Sequence, residues 1–582
     1  MANALESASL VMIPSGYEDG TLGSLKPTDG SGDFTFSRGS DISATRVNAD
    51  GYIEKGYENL LTYSNTFSDA AWSLNRASVT GGQVGYDGTN DAWLLNRDDI
   101  NTDGVLIRFQ SLNSVQTLSV YAKANTLNWI RIRIGTGGRN AYFDLSNGTT
   151  PTSEASIESV GNGWYRCSIW DSYSSDRYRI YPADGDNDTS GTSGSIYIQD
   201  AMLNQGLVAY PYKETTTAPV AGGILEDMPR LDYSNGSCPS LKLEPQRTNL
   251  IAYSEYYTDW GNVRTTNEFN VATSPEGLEN ASILYDSAVY NTFAIQKNYT
   301  ASSGTSPVVF SVFAKKQNLR YTSIRLLDDA ANLSGNTNNI IANYDLENGV
   351  VTDTLETGTP TNASADIEDY GNGWYRLIIS MTKKSGITRT DVQIRFENNP
   401  NSTASGSAYL GTGNDGYYFY GLQLEEGSYP TSYIPTYGVS QTRLRDDITI
   451  PSSADLSIPS DSWTILWDVS DESVATGGRW FDDNLQKIQL YPTAPNKSRV
   501  YWRGIGQYIA SAGGSKIIAR FDGTTATEFH DGINKGSASY SGQLPFDFYT
   551  ALGADSGKYI FNKFIIFPTA LTDSECIELT TI

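Results

Sequence analysis

NLLTYSNTFSDAAW, residues 59–72, and NLIAYSEYYTDWGN, residues 249–262, state one phrase twice in a single chain. The echo continues downstream in the same order. SVYAKA from Ser119 answers SVFAKK from Ser311, VGNGWYR from Val160 answers YGNGWYR from Tyr370, and YIQDAMLNQG from Tyr197 answers YFYGLQLEEG from Tyr418. The spacing between partners grows along the chain, from 190 to 192 to 210 residues. Collinear landmarks with growing offsets describe one fold used twice, the second copy carrying longer loops. A duplicated module favours repeated binding or stacking over a single catalytic centre.

The pattern inside the copies is that of strands. In WIRIRIG, Ile130, Ile132 and Ile134 alternate with Arg131 and Arg133, which places the isoleucines in a core and the arginines in water. DVQIRFE repeats the pattern with Val392, Ile394 and Phe396 inward. Short strands between NG, DG and GNG turns, within modules of 150 to 190 residues, point to two-sheet sandwiches or jelly rolls. The expected fold is therefore all-β: two related jelly-roll modules at 59–214 and 249–443, joined by a connector with a strand at 215–248. A short leader, 1–58, precedes them. A third composition follows at 444–582, where WTILWDVS, KIQLYP, RVYWRG, KIIARFDG and KYIFNKFIIFP are strand-like and Thr572 with Glu575 forms a capping box for one short helix.

Composition narrows the function. The chain of 582 residues carries 41 basic and 66 acidic side chains, a net charge of −25 that repels nucleic acid and anionic membranes. Its three cysteines, Cys167, Cys238 and Cys576, form neither a disulfide framework nor a zinc-binding pair. No basic start followed by an apolar run and no stretch near 18 apolar residues occurs, so a soluble protein without a signal peptide or membrane insertion is expected.

FTFSRGSDISATRVNADGYIE from Phe34 and MPRLDYSNGSCPSLKLEPQRTNLIAYSE from Met228, with GNGWYR and LQLEEGSYPTSYIPT from Leu422, resemble a family of tailed-bacteriophage virion proteins of head-spike, head-fibre or tail-fibre type. The resemblance implies modules like carbohydrate-binding jelly rolls, a place on the virion surface, a homotrimer, and attachment to other virion proteins through the N-terminal segment. In such proteins the first two phrases often sit close together, so the first module looks inserted between them. WTILWDV, ARFDGTTATEFHDGINKG and FPTALTDSECIELT are similar to a laminin-G or concanavalin-like lectin sandwich.

Chemistry is sparse. Trp164 and Trp374 of the GNGWYR repeats suit core packing better than sugar stacking, because apolar runs follow them. Aromatic residues that differ between the copies and sit in glycine-rich or polar loops are the better glycan candidates: Trp93, Tyr173 and Tyr178 in the first, Tyr417 and Tyr418 in the second. Asp184, Asp186 and Asp188, around Asn187, gather oxygens of the kind calcium takes, against the plainer reading as a solvated turn; no other cofactor is expected. His530, the single histidine, reads as an exposed strand end beside an Asp531-Gly532 hairpin turn, so a hydrolase triad is improbable. The expected function is non-enzymatic display of sandwich modules for host-surface glycan attachment. The alternatives are a polysaccharide-degrading enzyme with accessory binding modules, because two carboxylates in a groove suffice for glycoside hydrolysis, and a purely architectural capsid or tail component.

Overall fold

Strand alternation is carried through nearly the whole chain in a computed structural model that describes residues 5–18, 20–40, 42–98, 104–188, 192–300, 305–328, 338–387, 389–401, 406–451, 456–471, 481–482, 488–494, 497–502, 505–510, 513–540, 543–544 and 558–581. The 47 strands among these residues, with a helix of 9 residues at Asp573–Thr581, make the protein all-β. Thr572 and Glu575 close the expected capping box: Thr572 N donates to Glu575 Oε2 at 2.8 Å, and Glu575 N to Thr572 Oγ1 at 3.3 Å.

The two copies share one topology. In the first, Gln116–Ala124 lies between Trp164–Asp171 and Gly194–Gln205 in a six-stranded sheet, opposite a five-stranded sheet centred on Ser175–Ala183. In the second, Pro307–Lys316 lies between Trp374–Thr382 and Gly416–Glu426, opposite a sheet centred on Arg389–Glu397 and Tyr321–Asp328. The second copy is longer through more than loops. Its extra edge strand, Val350–Thr357, pairs with Asn339–Asp345 and accounts for about half of the jump in spacing before the second GNGWYR, the other half arising in the longer connection between Tyr321–Asp328 and Asn339–Asp345. Ile130, Ile132 and Ile134 are buried as expected, and so are Val392, Ile394 and Phe396. Arg131 is not in water: its guanidinium lies 4.5 Å from the Tyr181 ring and 5.5 Å from that of Tyr142.

Repeated phrases have repeated jobs. Asn59 donates through Nδ2 to Ala201 O and Lys213 O at 3.3 and 2.7 Å, and accepts at Oδ1 from Leu61 N and Leu203 N, both at 3.2 Å. Asn249 makes the same four bonds, to Leu422 O, Ile434 O, Ile251 N and Leu424 N. The GNG turns hold three successive residues at positive φ, Gly161, Asn162 and Gly163 in one copy and Gly371, Asn372 and Gly373 in the other, a conformation glycine and asparagine adopt at least cost.

Each module is tied to the rest of the chain by a two-stranded neck. Tyr57–Asn59 pairs with Val220–Gly222 around the first, and Arg247–Asn249 pairs with Gln441–Arg443 around the second. What remains folds together. The leader strand Leu10–Met12 and the connector strand Ser240–Leu243 both add to Tyr559–Phe567 of the C-terminal sandwich, and Phe34–Ser37 pairs with Asp447–Thr449. Leu10, Phe34, Leu241, Ile448, Trp463, Trp502 and Phe561 share one core. Much of the leader is thus packed into the chain's own C-terminal part.

Buried charges fix the joints. Where the chain leaves for the second module, Arg230 pairs with Glu244 at 2.7 Å and with Asp446, while Arg38 meets Asp446 at 3.2 Å and Arg443 meets Glu244 at 2.9 Å. Burial would raise the Glu244 carboxyl, yet Arg443 and Arg230 hold it well below its ordinary range. Between the modules, leader residue Lys55 lies 2.6 Å from Glu255 and 2.5 Å from Glu276, under the rings of Tyr210, Tyr420 and Tyr437. Burial would lower this ammonium, but the two carboxylates keep it well above the usual lysine value.

Candidate functional site

Two clefts lie on equivalent faces of the two copies. In each module the six-stranded sheet ends in an edge hairpin, Ala155–Gly161 with Trp164–Asp171 or Thr361–Asp369 with Trp374–Thr382, whose outer strand has no fully buried residue and alternates half-buried apolar with exposed polar side chains over much of its length. The outward residues include Ser156, Glu158 and Ser168 in the first copy and Ser364, Asp366 and Glu368 in the second, and both sets line a cavity. The cleft on the second module, of about 650 Å³, is closed on its far side by Tyr233, Ser234, Asn235 and Lys558, with Tyr429 at one end. The cleft on the first module, of about 440 Å³, is closed by Asn270, Leu278 and Glu279 of the second. The first module therefore sits on the second much as the second sits on the central body.

An arginine braces each hairpin. Arg166 of the first GNGWYR, which also lines its cleft, reaches Ser119 Oγ at 3.2 Å, and Arg376 of the second reaches Ser311 Oγ at 3.0 Å and Thr431 O at 2.8 Å. The serines are the first residues of SVYAKA and SVFAKK, so these two repeated motifs form one contact. In the larger cleft Lys242 is held by Asp232 at 2.7 Å, and this pairing outweighs burial to bring the Asp232 carboxyl down to about 2. Hydroxyls, amides, carboxylates and tyrosine rings then converge on a space of ligand size. Such a lining can hydrogen-bond a polyhydroxylated ligand and cover its apolar face.

None of the five aromatic candidates lines either cleft. Tyr178 and Tyr417 are wholly buried, at core positions of alternating strands, where their hydroxyls donate to Gln116 Oε1 and to the Tyr321 carbonyl. Neither can offer a ring face to a sugar; the polar residues around them belong to strands, not to loops. Trp93 is half-buried, its Nε1 donating to Asn65 O at 2.9 Å, and Tyr418 is half-buried against the cluster that holds Trp374. Tyr173 alone of the five is exposed, at 65%. Trp164 and Trp374 are buried as packing residues, in satellite clusters apart from the main module cores.

Asp184 and Asp186 are exposed, whereas Asp188 Oδ2 accepts from buried Arg97 at 2.6 Å and from Asp184 N at 2.8 Å. Asp188 thus serves as a counterion to arginine, and among the described residues no group of three or more His, Cys, Asp or Glu is placed to hold a metal ion. His530 is buried, not exposed. The Asp531-Gly532 turn is present, at φ of 49° and 79°, but the histidine points inward to Glu528 Oε2 at 3.0 Å, and Glu528 Oε1 accepts from Trp502 Nε1 at 2.6 Å.

Neither a family profile nor a curated protein sequence matches the chain. Among solved structures it is similar to the N-terminal CBM22-1-CBM22-2 tandem domain from Paenibacillus barcinonensis Xyn10C, at 11% identity and a TM-score of 0.21, covering 67% of this chain and 100% of that one. It is also similar to Trypanosoma rangeli sialidase, at 10% identity and a TM-score of 0.19, covering 94% of this chain and 97% of the other. Scores of this size carry no argument about activity. The clefts were hidden from sequence reasoning because their far walls come from segments remote in the chain; the one local signal was the outward polar alternation of each hairpin.

Proposed function

We propose that this chain is a non-enzymatic attachment protein of a tailed-phage virion, a fibre or spike that displays its two jelly-roll modules to host-surface glycan. The observation that carries the binding part is the pair of clefts built on the same hairpin face of both copies. One shallow polar cleft binds a sugar weakly, but linked clefts engaged together raise avidity by about 10²- to 10⁴-fold where geometry allows. The phage setting, the homotrimer and the contact of residues 1–58 with other virion proteins rest on the sequence resemblance.

The test is calorimetric titration of the whole protein with neutral oligosaccharides prepared from host envelope polysaccharide. Cleft residues are changed in turn, exposed Asp366→Ala with half-buried Tyr233→Phe in one cleft and exposed Glu158→Ala in the other. Weaker binding from each change, and a multivalent ligand that loses more than either alone, is the expected result. Unchanged binding in all variants, or steady release of reducing ends from the polysaccharide, refutes the reading.

A further inference from the structure

The outer face of the five-stranded sheet in the first module is chemically unlike the rest of this acidic chain. Strand register sets Arg133 directly opposite Arg179, and Arg177 follows two residues along the same strand. Like charges directly across a strand pair repel at short range. Neither Arg133 nor Arg179 has a carboxylate partner among the described residues; each is braced on a main-chain carbonyl, Arg133 on Thr136 O and Arg179 on Gly135 O at 2.8 Å. Arg133 Nε is buried without a partner. Asp176 makes its close ion pair with Arg177, at 2.9 Å, and reaches Arg179 only as a weaker, more distant charge. Burial above all depresses the Arg179 guanidinium; Arg133 and Arg177 add to the effect, while Tyr181 and Asp176 oppose it.

An apolar platform adjoins these cations. Ile107 pairs with Arg179 and Phe109 with Arg177 on the neighbouring strand, and the Phe109 ring is 52% exposed with the Arg177 guanidinium 5.7 Å from its centre. The second module lacks this chemistry. At the matching register it carries Asp391 and Gln393 where the first has Arg177 and Arg179. Its face is satisfied internally, Arg395 donating to Gln393 Oε1 at 2.9 Å and Arg325 to Asn339 Oδ1 at 2.6 Å.

We propose that this face of the first module binds an acidic polysaccharide, Arg133 and Arg179 clasping a carboxylate or sulfate group while Phe109 lies against the sugar ring. Planar guanidinium forks suit both anions, and an exposed aromatic ring suits the pyranose that bears them. The net charge of −25 opposes a polyanion at long range, but at physiological salt that repulsion is screened beyond about 8 Å, so the local arginines govern contact. The proposal rests on the attachment reading and names a ligand class for it, at a site separate from the two clefts.

The test immobilises the whole protein and measures binding of polygalacturonate, dextran sulfate, neutral dextran and double-stranded DNA. The variant Arg133→Gln/Arg179→Gln is compared with Arg133→Lys/Arg179→Lys, with thermal melting as a check on folding. The glutamine pair is expected to weaken binding of one or both acidic polysaccharides by about 10- to 100-fold, the scale of lost charge-assisted bonds, and the lysine pair to restore part of it. The first two polymers separate carboxylate from sulfate recognition. Equal binding by wild type and the glutamine variant overturns the proposal, as does DNA binding as tight as that of the polysaccharides. Neutral oligosaccharide binding that depends on the clefts, with no acidic polymer bound, overturns this proposal and leaves the attachment reading standing.

Discussion

Replacing Asn59 or Asn249 by alanine removes the same four hydrogen bonds from the two modules, so the two losses should match. Each asparagine is wholly buried and saturated, two donors on backbone carbonyls and one oxygen shared by two backbone amides, with bond lengths between 2.7 and 3.3 Å. At about 1 kcal/mol net for each bond, either substitution costs about 4 kcal/mol of module stability. That is a large share of the roughly 5–15 kcal/mol that holds a typical domain. Because a multi-module chain does not unfold in two states, the suitable assay is hydrogen exchange read by mass spectrometry. It should follow amides that do not bond the asparagine, in Gln116–Ala124 for Asn59→Ala and in Pro307–Lys316 for Asn249→Ala. About 4 kcal/mol corresponds to roughly a thousandfold faster exchange, confined to the module that carries the change. An acceleration under about tenfold in either module, or a large effect in one and none in the other, refutes the claim that the repeated asparagine does one job twice.

Lys55→Met strips Glu255 and Glu276 of their buried cation and should loosen the joint between the modules by about 3–5 kcal/mol, seen as new protease cleavage near the necks. Asp200 sits at a β-bulge with φ of 53°, where the second copy has Gly421, and burial pushes its carboxyl up to about 7. A raised carboxyl penalises the fold once the pH exceeds the unfolded value of about 4, increasingly up to pH 7 and fully above it. Asp200→Asn should therefore raise the first module's melting temperature at pH 8 and lose that advantage at pH 4; a shift of equal size at both pH values would sink the assignment. Deleting residues 1–55 removes Leu10, Phe34 and Phe36 from the central core and should leave residues 444–582 unable to melt cooperatively. A truncated chain with an unchanged calorimetric transition for that body would show the leader to be dispensable.

Duplication was legible in the sequence because it depends on local identity. Asn59 and Asn249 recur since each completes the same backbone bonds beside its neck, and GNGWYR recurs since one turn, one packed tryptophan and one arginine reaching a serine are needed in each copy. Alternation gave the strands, and the Thr572 to Glu575 spacing gave the helix start. Outward faces were harder to read. Arg131 and His530 follow patterns that place them in water, yet tyrosines cover one and the other is buried with its ring against Glu528.

The chain alone gave the class of fold and the presence of two copies, because strand period and turn chemistry act over a few residues. Tertiary structure alone decided that the leader, the connector and the last 140 or so residues make one sandwich, that necks hang the modules from it, and that clefts open between them. Those features join segments hundreds of residues apart. Their pairing is selected by which buried surfaces and charges fit together, a condition no single stretch of sequence can express.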